Sequence, residues 1–206
     1  MKRKILKYIV IIQIFIGVLF FLTPFVQSMN PPQYKIDEQN RIYNSVLNVD
    51  LSSLQKGKLM TVEWQGVPIG IYRRTDSDVD NLRKLKKYIL DPASNNQSEL
   101  PSWWKKMSVD IESKFLTTDI RSRSEIFFIF NRVSPIYGCM VAHISQENAE
   151  SSGFSKNWLG GFFDPCQKVA YDLSGRVFKG QGHGLHLMVP PHKISKDWKL
   201  ELIPNG

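Results

Sequence analysis

The chain has 206 residues, 42% of them hydrophobic, and a formal net charge of +8. That suits one membrane segment plus one domain with a real core, and it is too apolar for wholesale disorder. Lys2, Arg3, Lys4 and Lys7 carry half of the charge excess and the rest is scattered. The basic stripe with interleaved aromatics expected of a nucleic-acid surface is therefore missing, which argues against a nucleic-acid partner.

From Tyr8 to Val26, 19 residues run without a charge, and Gln13 is the one strongly polar side chain among them. At 1.5 Å per residue, such a helix nearly crosses a hydrocarbon core of about 30 Å. The basic residues ahead of it favour a cytoplasmic N-terminus, with everything after Val26 on the periplasmic side of an inner (plasma) membrane. A cleavable signal peptide is the rival reading. Val26-Gln27-Ser28 is a mediocre cleavage site and the apolar run is longer than a usual signal core, so an uncleaved anchor over residues 1–28 is favoured. Residues 29–46 read as a flexible tether, because Thr23-Pro24 and Asn30-Pro31-Pro32 discourage regular structure and the following segment is polar.

Beyond the tether, residues 47–206 read as one domain built from short strands. Lys58 to Trp64 alternates, Gln65-Gly66 turns, and Val67 to Tyr72 returns, which predicts a hairpin. Asp76 to Leu90 is the one helix expected here, with Asp76 or Ser77 as its cap and Val79, Leu82, Leu85 and Ile89 near helical spacing. Asp91-Pro92 should end it. Residues 93–124 are polar, and the pair Trp103-Trp104 within them is read as local packing. Glu125 to Val133 is a buried strand, 134–160 a long loop, and Val169 to Lys179 a hairpin turning at Ser174-Gly175. Short strands broken by Pro190-Pro191 occupy Leu185 to Leu202. The expected fold is mainly β. The chain's two cysteines, Cys139 and Cys166, lie in the exported part. In an oxidising compartment a lone pair is more often a disulfide than a metal site.

The segment Gly160 to Gly180, G-G-F-F-D-P-C-Q-K-V-A-Y-D-L-S-G-R-V-F-K-G, resembles the second cluster loop of the Rieske iron–sulfur subunit of ubiquinol–cytochrome c reductase. Phe25 to Pro31, the Val62 to Pro68 hairpin, Tyr72-Arg73-Arg74-Thr75, Leu90-Asp91-Pro92, Arg121-Ser122 and Pro190-Pro191 fit the same family, so the likeness spans essentially the whole chain. It implies a Rieske-type all-β domain (cluster-loop region about 134–184) on one N-terminal transmembrane helix. It also implies cytochrome b and cytochrome c subunits as partners, together with membrane lipid. In the family, two loops, C-x-H-x-G-C and C-P-C-H, hold a 2Fe–2S cluster through one cysteine and one histidine each. The remaining cysteine of each loop joins a disulfide. Many members carry a twin-arginine signal, absent from Lys2-Arg3-Lys4 here, so unfolded export by the general secretory route is expected.

On the same alignment the four ligand positions are Ser134 and Ile136 in the first loop and Asp164 and Gln167 in the second. Cys139 and Cys166 keep the disulfide places. Lys168 and Val169 replace a glycine and a serine, and Tyr171 is retained. The covering G-P-A-P loop reads Gln181-Gly182-His183-Gly184. Iron–sulfur centres want thiolate or imidazole donors, so no cofactor, no metal and no catalytic residue is expected. The histidines His143, His183, His186 and His192 all fall in this region, and a substitute metal site could join His183 and His186 to Asp164. Ordinary surface histidines are the preferred reading, since H-x-x-H on a glycine-rich loop is not a specific metal signal. Three roles follow: a cluster-free subunit kept for structure or assembly, an electron carrier with unusual ligands, or a periplasmic binding module that has left the complex.

Overall fold

The computed structural model describes residues 2–29, 32–94, 114–135, 137–152, 157–181 and 184–204, in two units, Met1–Asn44 and Ser45–Gly206. Trp103-Trp104, Ile136 and His183 lie outside the described residues. In the first unit α1 spans Lys2–Met29 and is the one described helix long and apolar enough to cross a membrane. Pro24 sits inside it, where its missing N–H leaves the carbonyl four residues earlier without a helical partner. Apolar spanning helices tolerate such a proline. A second helix, α2 (Gln33–Tyr43), starts directly after Pro32 and exposes nearly all its residues. Within the expected tether, 29–46, the residues Gln33–Tyr43 are helical rather than irregular. Pro32 precedes the first turn rather than interrupting it, and such a position suits a helix start.

Among the described residues, the second unit is built on three sheets of three strands each. β1 (Leu47–Asp50), β8 (His192–Ile194) and β9 (Lys199–Leu202) form one, with β9 central. β2 (Leu59–Trp64), β3 (Val67–Arg73) and β4 (Phe127–Asn131) form the second in antiparallel order. β5 (Ala142–Ile144), β6 (Gly161–Asp164) and β7 (Val169–Tyr171) form the third. The mainly-β architecture is the one expected. The β2–β3 hairpin turns on Gln65 and Gly66, both at positive φ (54° and 75°), as a two-residue hairpin requires.

All five residues of β4 are buried, and its alternation explains why. Phe127 and Ile129 join a core with Leu51, Trp64, Ile69, Ile71, Leu200 and Leu202. Phe128 and Phe130 join another with Tyr72, Phe162, Val169, Tyr171 and Val189. A strand covered on both faces reads as a continuous apolar run, which is how this one stood out in the sequence.

Helix α3 (Asp76–Leu85) is shorter than expected and passes into a 3₁₀ turn over Lys86–Tyr88. Its cap is neither Asp76 nor Ser77. Thr75 takes that place because its hydroxyl accepts from the Asp78 N–H while the Asp78 carboxylate accepts from the Thr75 N–H, at 3.2 and 2.7 Å. Two donors are satisfied at once, which a cap one residue later would not achieve. The expected 134–160 loop contains β5 and a short helix, α4 (Gln146–Ser152).

Gly161 opens β6 at φ 143°, and a Cβ there would run into the carbonyl oxygen of Tyr171. Only glycine lets β6 and β7 come this close, and that closeness sets the second loop.

Candidate functional site

Two loops meet at one end of the third sheet. The first leaves β4 through Val133, which bridges to Met140, and closes as a tight hairpin. The Ser134 N–H donates to the Cys139 carbonyl at 2.8 Å and the Gly138 N–H to the Ser134 carbonyl at 3.2 Å. The second is the connection between Asp164 and Val169, which face each other in register. A disulfide between Cys139 and Cys166 ties the loops together, with Cα atoms 6.3 Å apart, within the range such bonds require. The expected bridge is therefore present. By chain-entropy arithmetic over a separation of 27 residues, Cys139→Ser should lower stability by about 3.5 kcal/mol. Urea unfolding of the full chain in detergent measures this, and a loss below about 1 kcal/mol would contradict it.

Asp164 is completely buried. One of its carboxylate oxygens accepts from the N–H groups of Cys166 (2.8 Å) and Gln167 (3.3 Å), so the side chain closes the second loop as an Asx turn. The other oxygen has no hydrogen-bond partner among the described residues, and neither has the hydroxyl of the equally buried Ser134. Lys168 holds φ 56°, a left-handed conformation that favours glycine, which accounts for the glycine the resemblance places there. Burial pushes the Tyr171 phenol pKa well up, and the Asp164 carboxylate adds to the rise.

The described histidines are His143, His186 and His192. In His186, Nδ1 accepts from the Val177 N–H at 3.1 Å, so the proton is on Nε2 and points at the Asp91 carbonyl, 2.6 Å away. Both nitrogens are used, and the ring is buried rather than on the surface. His192, also buried, lies 2.8 Å through Nδ1 from the Pro190 carbonyl. His143 packs between Tyr72 and Phe162, with ring centroids 4.8 and 5.9 Å away, and burial lowers its pKa. The substitute site joining His183 and His186 to Asp164 is therefore not assembled at His186.

Burial, reinforced by the charge of Arg121, depresses the His186 pKa to about 4. An unfolded histidine binds its proton near pH 6.5, so between those values the unfolded state holds more protons. Stability present above pH 6.5 should fall as the pH drops towards 4, by about 3 kcal/mol. Urea titrations at a series of pH values test this, with His186→Gln expected to flatten the profile.

One buried group escaped the sequence reading. Asp172, fully buried, accepts from the N–H groups of Ser174 (2.8 Å) and Arg176 (2.9 Å) and from Arg176 Nε (2.7 Å). Arg74 and Arg121 are buried beside it and reach the same turn, donating to the Leu173 and Ser174 carbonyls. Desolvation lowers their pKa values to about 10 and about 9, with the negative Asp172 opposing the drop. These arginines bind the turn to the rest of the domain. The D-x-x-G-R pattern was the only available hint, and arginines are usually solvated.

A cleft of about 500 Å³ lies elsewhere, lined by Lys56, Arg73, Asp76, Arg83, Glu125 and Trp198 among others. Lys56 pairs there with Asp76 (3.1 Å) and Arg83 with Glu125 (3.2 Å), while Arg73 lies over the Trp198 ring.

A mainly-β domain whose two end loops are pinned by one disulfide, in a chain with an N-terminal apolar helix, is the arrangement the resemblance implies. In sequence the chain is similar to iron–sulfur subunits of respiratory complexes. The chain is 25% identical to the ubiquinol–cytochrome c reductase iron–sulfur subunit of Allochromatium vinosum over 197 residues, 96% of this chain and 86% of that one. It is 26% identical to the subunit of the same name from Rickettsia typhi, over 87% and 80% of the two chains. It is 29% identical to the mitochondrial cytochrome b-c1 complex subunit Rieske-5 of Nicotiana tabacum, over 75% of this chain and 45% of that one. A chain of a hyperthermophilic respiratory Complex III covers 90% of this one and 91% of itself, at 15% identity and a TM-score of 0.40. No family model matches. The resemblance to the Rieske iron–sulfur subunit is thus borne out over most of the chain.

The residues present do not fit a 2Fe–2S cluster. The four positions that the resemblance aligns with ligands hold a hydroxyl (Ser134), a carboxylate (Asp164), an amide (Gln167) and Ile136, whose side chain has no donor atom. The sulfurs of Cys139 and Cys166 are bonded to each other and are not thiolates.

Proposed function

We propose that this chain is a Rieske-like subunit of a ubiquinol–cytochrome c reductase that carries no 2Fe–2S cluster and serves the complex structurally. The observation that carries this reading is Asp164. It occupies the place of a thiolate ligand and spends one carboxylate oxygen on closing its own loop. The loop is thereby completed by the protein's own atoms. Residues 1–28 act as an uncleaved anchor with a cytoplasmic N-terminus, 29–46 connect, and 47–206 stand on the periplasmic side against cytochrome b and cytochrome c subunits. The whole-length similarity to subunits of such complexes supports those partners. The deciding experiment is iron and acid-labile sulfide analysis of the chain purified in detergent, with electron paramagnetic resonance of the reduced sample. Neither element in stoichiometric amount and no Rieske-type signal is the expected result. Two irons per chain with that signal would sink the reading. Co-purification with cytochrome b tests the structural role separately.

A further inference from the structure

We propose that reduction of the Cys139–Cys166 disulfide opens a binding site for a single soft divalent cation of the zinc class, formed by the two thiolates and Asp164. The two sulfurs and one carboxylate oxygen of Asp164 lie within 4.8 Å of one another. Around zinc, bond lengths of about 2.0–2.3 Å put neighbouring ligands roughly 3.3–3.8 Å apart, so a small adjustment of the two loop tips suffices. Asp164 has an oxygen outside its loop-closing contacts. Those use one oxygen, and the second is buried without a partner among the described residues. A buried acceptor left unpaired is rare and costly, and a cation is one thing that satisfies it. Two thiolates and one carboxylate are a donor set for zinc with a fourth position open to water. They supply one metal, not the two-sided four-ligand set of a 2Fe–2S centre.

The site is reachable. Cys166 is exposed and Cys139 half-buried, so a dithiol reductant can attack the bridge. In that exchange the dithiol is oxidised to its own disulfide and hands two electrons and two protons to Cys139 and Cys166, leaving two thiols. On taking up the cation the two thiols release two protons. The inference does not depend on the proposed structural role, because a binding module with these loops would behave in the same way.

The experiment uses the full chain in detergent, reduced anaerobically with a phosphine and titrated with Co²⁺, then with Zn²⁺ in competition. The reduced chain should take up one Co²⁺ with thiolate-to-cobalt charge-transfer absorption, bleached by one Zn²⁺, and the oxidised chain should show no such absorption. Asp164→Asn retains the oxygen that closes the loop and should bind at least tenfold more weakly. Cys139→Ser should lose the two-thiolate absorption. A reduced chain that takes up no metal, equal uptake by oxidised and reduced chains, or wild-type affinity in Asp164→Asn would each overturn the proposal. The iron analysis of the chain as isolated is read before reduction, so its failure and the failure of this site are distinguishable.

Discussion

Asp172→Ala is expected to cost about 3–5 kcal/mol of folding stability, because it strands buried arginines rather than removing one contact. The carboxylate holds Arg176 through Nε at 2.7 Å and closes the turn through the N–H groups of Ser174 and Arg176. Arg176 also donates to the Leu82 carbonyl at 2.8 Å and lies 3.4 Å from Asp119. Asp119 is partly exposed and is shared with Lys86 at 3.1 Å, so it cannot replace the deleted charge. Arg74 and Arg121, fully buried beside the same turn, lose the one buried carboxylate that favours their charged forms most. Asp172→Asn preserves the shape and one acceptor for the turn while removing the charge, and should cost less than the alanine variant. The readout is urea unfolding followed by tryptophan fluorescence. Trp158 is buried and donates to the Tyr171 carbonyl at 3.0 Å, one residue from the turn. A loss below about 1 kcal/mol for the alanine variant would mean that the arginines are compensated elsewhere.

The contrast between the arginines and the strands shows which features a sequence exposes. Strands β2, β3 and β4 were legible because alternation and an unbroken apolar run are direct consequences of one-sided and two-sided burial. Helix α2 was not, because it buries no residue and so carries no apolar periodicity. The cap at Thr75 was missed because Thr75, Asp76 and Ser77 are all good capping types, and only the reciprocal bond with Asp78 separates them. Strand β5, three half-buried residues long, is too short to show a period. At the site, the pair Cys139 and Cys166 followed from compartment and resemblance. The second duty of Asp164, closing its loop, is a backbone contact that only coordinates reveal. His186 was misjudged for a related reason, since a histidine in a glycine-containing stretch looks solvated until its two backbone partners are seen.

The combined variant Ser134→Cys, Ile136→His, Asp164→Cys and Gln167→His, with Lys168→Gly and Val169→Ser, is expected to gain a cluster on reconstitution with iron and sulfide, and with it a Rieske-type resonance. The geometry supports three of the changes. Ser134 is already buried, its hydroxyl without a partner among the described residues, on a hairpin fixed by its own N–H, and a thiol is only slightly larger. Replacing Asp164 frees the N–H groups of Cys166 and Gln167, and donors of this kind bonded to cluster sulfurs raise the potential. Lys168 stands at φ 56°, so glycine relieves strain of about 1 kcal/mol and removes a long side chain beside the site. Ile136→His rests on the alignment alone. Four cysteines introduce a risk of mispairing, so the Cys139–Cys166 bridge is verified by thiol counting before iron is added. If that bridge is native and the chain is folded, absence of bound iron would show that the loops have lost the spacing a cluster needs as well as its ligands. Iron bound with the expected resonance would show that these six substitutions are enough to separate this protein from a cluster-binding one.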